Sequence, residues 1–147
     1  REKAETIIMS TGMSTLNEVK DACNILNKNV NDIILLHCVS SYPTDVKDAN
    51  LSVIDTLHKH FPKYTIGQSD HTPGRMIPLM AVVRGAKVIE KHFKIDDDCV
   101  DSPVSILPSQ MKFLIEDIRL LEKSFGSGEM GMTDNQESAK IFRRFSE

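Results

Sequence analysis

Two short stretches concentrate the side chains able to do chemistry. "SDHT" at 69–72 offers a hydroxyl, a carboxylate, an imidazole and a second hydroxyl, and "EKH" at 90–92 offers a carboxylate, an amine and an imidazole. Each closes an apolar run that reads as a β-strand, "KYTIGQSD" (63–70) and "AKVIEKHF" (86–93). Within a strand, residues two apart share a face. Ser69 therefore points the same way as His71, and Glu90 the same way as His92. If the two strands are neighbours, two imidazoles converge with a carboxylate beside them. Two histidines would leave a metal ion largely open to water and a substrate oxygen. Read singly, each histidine is more readily a hydrogen-bonded core or turn residue. The shared position at strand ends brings the paired reading level with it.

Weaker signals accompany them. "MSTGMST" (9–15) brings hydroxyls and backbone N–H groups to a helix start, a natural anion site, although any strand-to-helix turn uses the same residues. "HCVSSYP" (37–43) ends another strand. Its Tyr42 either covers the site or only its own loop, and His37 is either support for the site or packing. The acidic run "DDDCVD" (96–101) reads as a solvated loop, with Asp101, nearest the following helix, as its one site candidate. His58 and His60, near a helix end, read as surface residues.

The elements that must position these groups repeat in a simple order. "ETIIMS" (5–10) is a first strand, followed by a helix with Thr15 and Glu18 at capping-box spacing and a stripe of Leu16, Val19, Ala22, Cys23 and Leu26. "DIILLHCV" (32–39) is a second strand, and its helix carries Leu51, Ile54, Leu57 and Phe61 on one side. A third helix is expected over 75–84. The last opens at Pro108, carries Met111, Leu114, Ile115, Ile118 and Leu121, and stops at Gly126. Strands alternating with helices imply βαβ units and a parallel sheet, with right-handed crossovers. The class is α/β, as a small open sheet or as four consecutive units of a (β/α)8 barrel. A whole barrel needs about 250 residues. All four polar clusters fall at the carboxyl ends of strands, the edge where such sheets bind ligands, so they read as one composite site.

Bulk properties set the outer bounds. With 147 residues, 40% of them apolar and 27% charged, the chain can bury a real core. A net charge of −3 with no basic stripe argues against nucleic acid. No apolar run approaches the roughly eighteen residues of a membrane span. Cys23, Cys38 and Cys99 are odd in number and lack CxxC spacing, which suits a reduced cytoplasm better than a disulfide framework. No secretory signal opens the sequence. Its start at Arg1 in place of methionine is compatible with a segment of something longer.

From "IIMSTGMSTLNEV" through "ILLHCVSSYP", "IGQSDHT", "GAKVIEKHF" and "VDSPVSILPSQM", about residues 5–125, the chain resembles the sialic acid synthases, meaning N-acetylneuraminate synthase and its legionaminic and pseudaminic acid relatives. The resemblance implies the last four units of a TIM-type barrel over 1–126. It also implies condensation of phosphoenolpyruvate with the aldehyde of an N-acylated amino sugar, giving a nine-carbon α-keto acid and phosphate. By position, His71 and His92 match the family's metal ligands, for manganese before magnesium, and Glu90 a carboxylate that handles the attacking water's proton. Ser10, Ser69 and Ser40 match phosphoenolpyruvate contacts, the last where some members carry asparagine, and Tyr42 and Asp101 match positions facing the sugar.

Two departures qualify the match. After "EKHF" the sequence reads "CVDSPVSILP", closer to the legionaminic and pseudaminic branch than to the "GPDHKFSL" of classical members. The family's first four units, with their phosphate-binding lysines, are also unmatched, as is its antifreeze-like domain, which lends an arginine to the partner subunit's site. The polar stretch 127–147 is expected to be a linker or short terminal helix leading towards such a domain, in a full-length protein that forms a homodimer. A half-barrel alone is expected to need the other half, a second copy or a separately encoded N-terminal chain. The competing readings are a non-catalytic binding or assembly module, inactive without the N-terminal half, and an unrelated phosphate-ligand enzyme sharing the sheet-edge chemistry by convergence.

Overall fold

Apolar runs rich in Ile, Leu and Val pair side by side in the computed structural model, which describes residues 4–144. Strands β1 (Thr6–Ser10), β2 (Asp32–Cys38), β3 (Thr65–Asp70) and β4 (Val88–Lys91) form one sheet in the order β1-β2-β3-β4, every pair parallel. Helices α1 (Leu16–Leu26), α2 (Ser52–His60) and α3 (Met76–Val83) connect consecutive strands, and α4 (Pro108–Ser124) follows the last. This is the expected run of four βα units, a half-barrel.

One side of the sheet is core. Ile33 and Leu35 of β2 and Ile66 of β3 are buried against Val19 and Cys23 of α1, Ile54 and Leu57 of α2, and Ala81 of α3. The alternate residues line the other side in rows set by the register. Ser10, Leu36, Gly67 and Val88 lie across from one another, and Cys38, Ser69 and Glu90 form the next row. Gly67 is required there: a Cβ would run into the Val88 carbonyl and come within 2.6 Å of Leu36 Cδ2. Helix starts follow their local signals. Glu18 Oε2 accepts from the Thr15 amide at 2.7 Å while the Glu18 amide donates back to Thr15 Oγ1 at 3.4 Å. Pro108 opens α4, and Gln110 Oε1 takes the Leu107 amide at 2.9 Å.

Two expectations needed adjustment. β4 is shorter than the run 86–93, because the backbone at its end turns to another segment. The Ile106 amide donates to the His92 carbonyl at 2.9 Å and the Lys94 amide to the Ile106 carbonyl at 3.0 Å. In α4 only Leu114 of the apolar stripe is buried, and Ile115 is half exposed. Beyond α4 an exposed stretch ends in a 3-10 helix at Asp134–Phe142. Among the described residues no helix is long and apolar enough to cross a membrane.

Candidate functional site

The parallel pairing of β3 and β4 brings the two polar strand ends together. Ser69 lies directly across from Glu90, and its hydroxyl donates to Glu90 Oε1 at 2.6 Å. One step further out, the rings of His71 and His92 stand 5.1 Å apart, centroid to centroid, inclined at 61°. Tyr42, on the turn after β2, packs against both, 4.1 Å from His71 and edge-on at 5.7 Å from His92.

Each imidazole is oriented through its Nδ1. In His71 this nitrogen lies 2.8 Å from the Val39 carbonyl oxygen, which can only accept, so Nδ1 is the donor of that bond and Nε2 is the nitrogen left for a ligand. Cys38 Sγ sits 3.9 Å from the same Nδ1. In His92, Nδ1 is 3.4 Å from Asp101 Oδ2. Backbone contacts hold the frame: the Thr44 amide donates to the His71 carbonyl at 3.0 Å, tying the Tyr42 turn to β3. Tyr42 is half exposed, and its hydroxyl is held above the ordinary phenol value by desolvation first and then by the neighbouring Cys38, Asp101 and Glu90.

The donor set fits a metal of low protein coordination. Two imidazoles face each other, and His71 at least presents Nε2 as its free donor. Among the described residues no group of three or more His, Cys, Asp or Glu side chains is arranged to hold a metal ion.

Six of the candidate residues thus meet: Ser69, His71, Glu90, His92, Tyr42 and Asp101. The other two lie to one side. Ser10 shares the inward face but sits two strands from β3, about 10 Å away by strand spacing. Ser40 follows β2, its Oγ packed where a Cβ on Gly12 would be. A separate cavity of about 510 Å³ lies between α1 and α2, lined by Thr11, Ser14, His37, Ser40, Asn50 and Val53 among others; it adjoins the site only through Cys38–Ser40.

The remaining histidines resolve differently. His37 is buried packing on the helix side, with Nε2 bonded to the Ala49 carbonyl at 2.8 Å. Burial holds its pKa below the ordinary histidine value, against the opposing pull of that bond. His58 is not a surface residue as expected, because its ring covers Gly85 with Nε2 3.2 Å from the Gly85 carbonyl. His60 is exposed. Thr11 is occupied too, its hydroxyl donating to the Leu36 carbonyl at 2.9 Å.

A feature that motif reading missed lies directly behind the histidines. Asp70 and Lys91 form an ion pair of 2.7 Å, each side chain only 1% exposed. Lys91 Nζ also donates to the Thr72 carbonyl, and Thr72 Oγ1 donates to Asp70 Oδ1 at 2.9 Å.

Comparison with known proteins bears on the family and the fold. The NeuB family model matches residues 1–130. The chain is 40% identical over 144 residues to an N,N'-diacetyllegionaminic acid synthase of Campylobacter jejuni, covering 94% of this chain and 43% of that protein. It is 37% identical over 147 residues to a pseudaminic acid synthase of the same species, covering 98% and 42%. A solved N-acetylneuraminic acid synthetase from Leptospira borgpetersenii superposes with a TM-score of 0.82 at 36% identity, covering 94% of this chain and 49% of that one. The chain therefore spans less than half the length of these relatives.

Proposed function

The chain belongs to the NeuB family, and from that membership we propose that it carries one half of a site condensing phosphoenolpyruvate with the aldehyde of an N-acylated amino sugar to give a nine-carbon α-keto acid and phosphate. The observation that most supports this reading is the convergence of His71 and His92, 5.1 Å apart, beside the Ser69–Glu90 pair at the carboxyl edge of the sheet. Legionaminic and pseudaminic acid synthases among the relatives support the class of product.

Each group then has a role that its contacts suit. His71 and His92 would hold a divalent ion, manganese before magnesium because the donors are imidazoles. When bound, that ion would supply Lewis acidity towards the aldehyde oxygen. Once C3 of phosphoenolpyruvate has bonded to the aldehyde carbon, Glu90 takes the proton of the water that adds to C2, and the adduct then expels phosphate; the carboxylate is aimed by the Ser69 hydroxyl. Ser69, with Ser10 and Ser40 along the same edge, contacts phosphoenolpyruvate. Tyr42 and Asp101 face the sugar and also brace the two imidazoles from outside. The free thiols Cys23, Cys38 and Cys99 suit a reducing cytoplasm. In the full-length protein the working unit is a homodimer. A purely structural module would have no use for two oriented imidazoles beside a hydrogen-bonded carboxylate.

The test is phosphate release from phosphoenolpyruvate with manganese and a series of N-acylated amino sugars, in the full-length parent and in this chain alone. His71→Ala and His92→Ala are each expected to abolish turnover and manganese binding in the parent. Unchanged metal affinity and turnover in both variants would remove the assignment.

A further inference from the structure

The β3–β4 ladder stops at the pair Asp70–Lys91, one residue short of the two histidines. Beyond it the backbones part. The His71 carbonyl is taken by the Thr44 amide and the His92 carbonyl by the Ile106 amide, each from a third segment. What crosses the gap at this level is a side chain. Lys91 reaches from the residue before His92 to both neighbours of His71, the carboxylate of Asp70 and the carbonyl of Thr72. Asp70 in turn closes the turn around His71, accepting from the Thr72 hydroxyl at 2.9 and 3.1 Å and from the Thr72 amide at 3.2 Å.

We propose that Asp70, Thr72 and Lys91 form a clasp that sets the spacing and facing of the two imidazoles, with Lys91 as a positioning residue for His71 and His92. Residues on a strand alternate in facing, so Asp70 and Lys91 work from the side opposite Ser69 and Glu90 and touch no reacting group. Stability is a poor reason for such a pair. Both side chains are 1% exposed, and the desolvation of two buried charges largely cancels their attraction, so well-packed apolar residues of similar volume commonly do as well. A buried charge pair does differ from an apolar pair in direction. The ammonium has three donors, two of which are spent on atoms that flank one histidine while its own backbone carries the other.

The clasp rests on reading His71 and His92 as a pair acting on one ligand, and its test separates the two ideas. Asp70→Asn combined with Lys91→Met removes both charges at nearly constant volume, leaving no unpaired buried ion. In the metal-free full chain, the NOE between the His71 and His92 ring protons reports their proximity, and manganese titration followed by EPR reports affinity. The double variant is expected to unfold cooperatively near the wild-type temperature, to lose the inter-ring NOE, and to bind manganese about tenfold more weakly or worse, as loss of a supporting shell does. A folded double variant that keeps the NOE and the wild-type affinity overturns the clasp. Should the double variant not fold, Asp70→Asn alone, which keeps an amide oxygen for Thr72 but takes the anion from Lys91, reads the same two quantities with the same criterion. A wild-type chain with the NOE but no manganese binding would count against the metal site and leave the clasp to be judged on the NOE.

Discussion

Glu90 and Ser69 are coupled before any ligand arrives, and that coupling decides what each can do. The 2.6 Å bond commits the Ser69 proton to Glu90 Oε1, leaving Oε2 as the freer base. Glu90→Gln keeps the shape and the bond to Ser69 but removes the basicity. In the full-length enzyme it is expected to lower kcat by about 10²–10⁴-fold with little change in KM, the range for a lost acid–base group. Ser69→Ala should cost less in kcat and raise the KM for phosphoenolpyruvate; equal KM values for wild type and Ser69→Ala would show that the serine only aims the carboxylate. His37 invites a different measurement. Its folded pKa lies below the unfolded value because of burial, so near and below about pH 6.5 the unfolded chain binds a proton that the folded chain refuses. The neutral buried form is fully favourable above that pH, and stability falls as pH drops through it, by at most about 1.4 kcal/mol per pH unit. Urea unfolding at pH 7.5 and 5.5 should show this loss in the wild type. It should be smaller in His37→Gln, whose amide can still donate to the Ala49 carbonyl.

At the scale of elements, the sheet depends on Gly67. Leu36 and Val88 flank it in register, and a methyl group would meet the Val88 carbonyl and Leu36 Cδ2. Leu36 Cδ2 can turn aside with its side chain, but the Val88 carbonyl is backbone and yields only if β4 itself moves. Gly67→Ala is expected to destabilise by about 1–3 kcal/mol, read as a lower midpoint in thermal unfolding, and to disturb Ser69 two residues on. Much of this architecture was legible beforehand. Apolar runs placed the four strands and one-sided apolar stripes three of the four helices, and the rule that ligands gather at carboxyl edges picked out Ser69, His71, Glu90 and His92. What escaped was decided by contacts no local pattern encodes. Asp70 and Lys91 counted only as members of the two polar strand ends; their burial follows from the β3–β4 register. His58 looked solvated until the turn at Gly85 was seen to lie beneath its ring. Cys38, a lone thiol by spacing, joins the site because Cys38 and Ser69 share a row.

At the scale of the whole molecule, the sheet has two open ends. Among the described residues β1 pairs only with β2 and β4 only with β3 over their lengths. The inward face exposes Ile8 to 55%, and α4 leaves Ile115 and Leu120 at 50% and 69%, where the expected stripe called for burial at Ile115. α4 packs against α3, yet it buries Leu114 alone and leaves Phe113 half exposed as well. Parallel edges with unpaired N–H and C=O groups, next to apolar surface, seek pairing. The barrel solves this by closing the sheet on itself, and relatives more than twice as long have the residues to do so. At micromolar concentration the chain alone is therefore expected to self-associate. Light scattering coupled to gel filtration should show a dimer or larger species, and supplying the N-terminal half of a relative's barrel in trans should convert it to a discrete one-to-one complex. That complex should also protect the amides of β1 and β4 from hydrogen exchange. A well-folded monomer that ignores the added half would mean that these edges are satisfied within the chain itself, and the half-barrel could then stand alone.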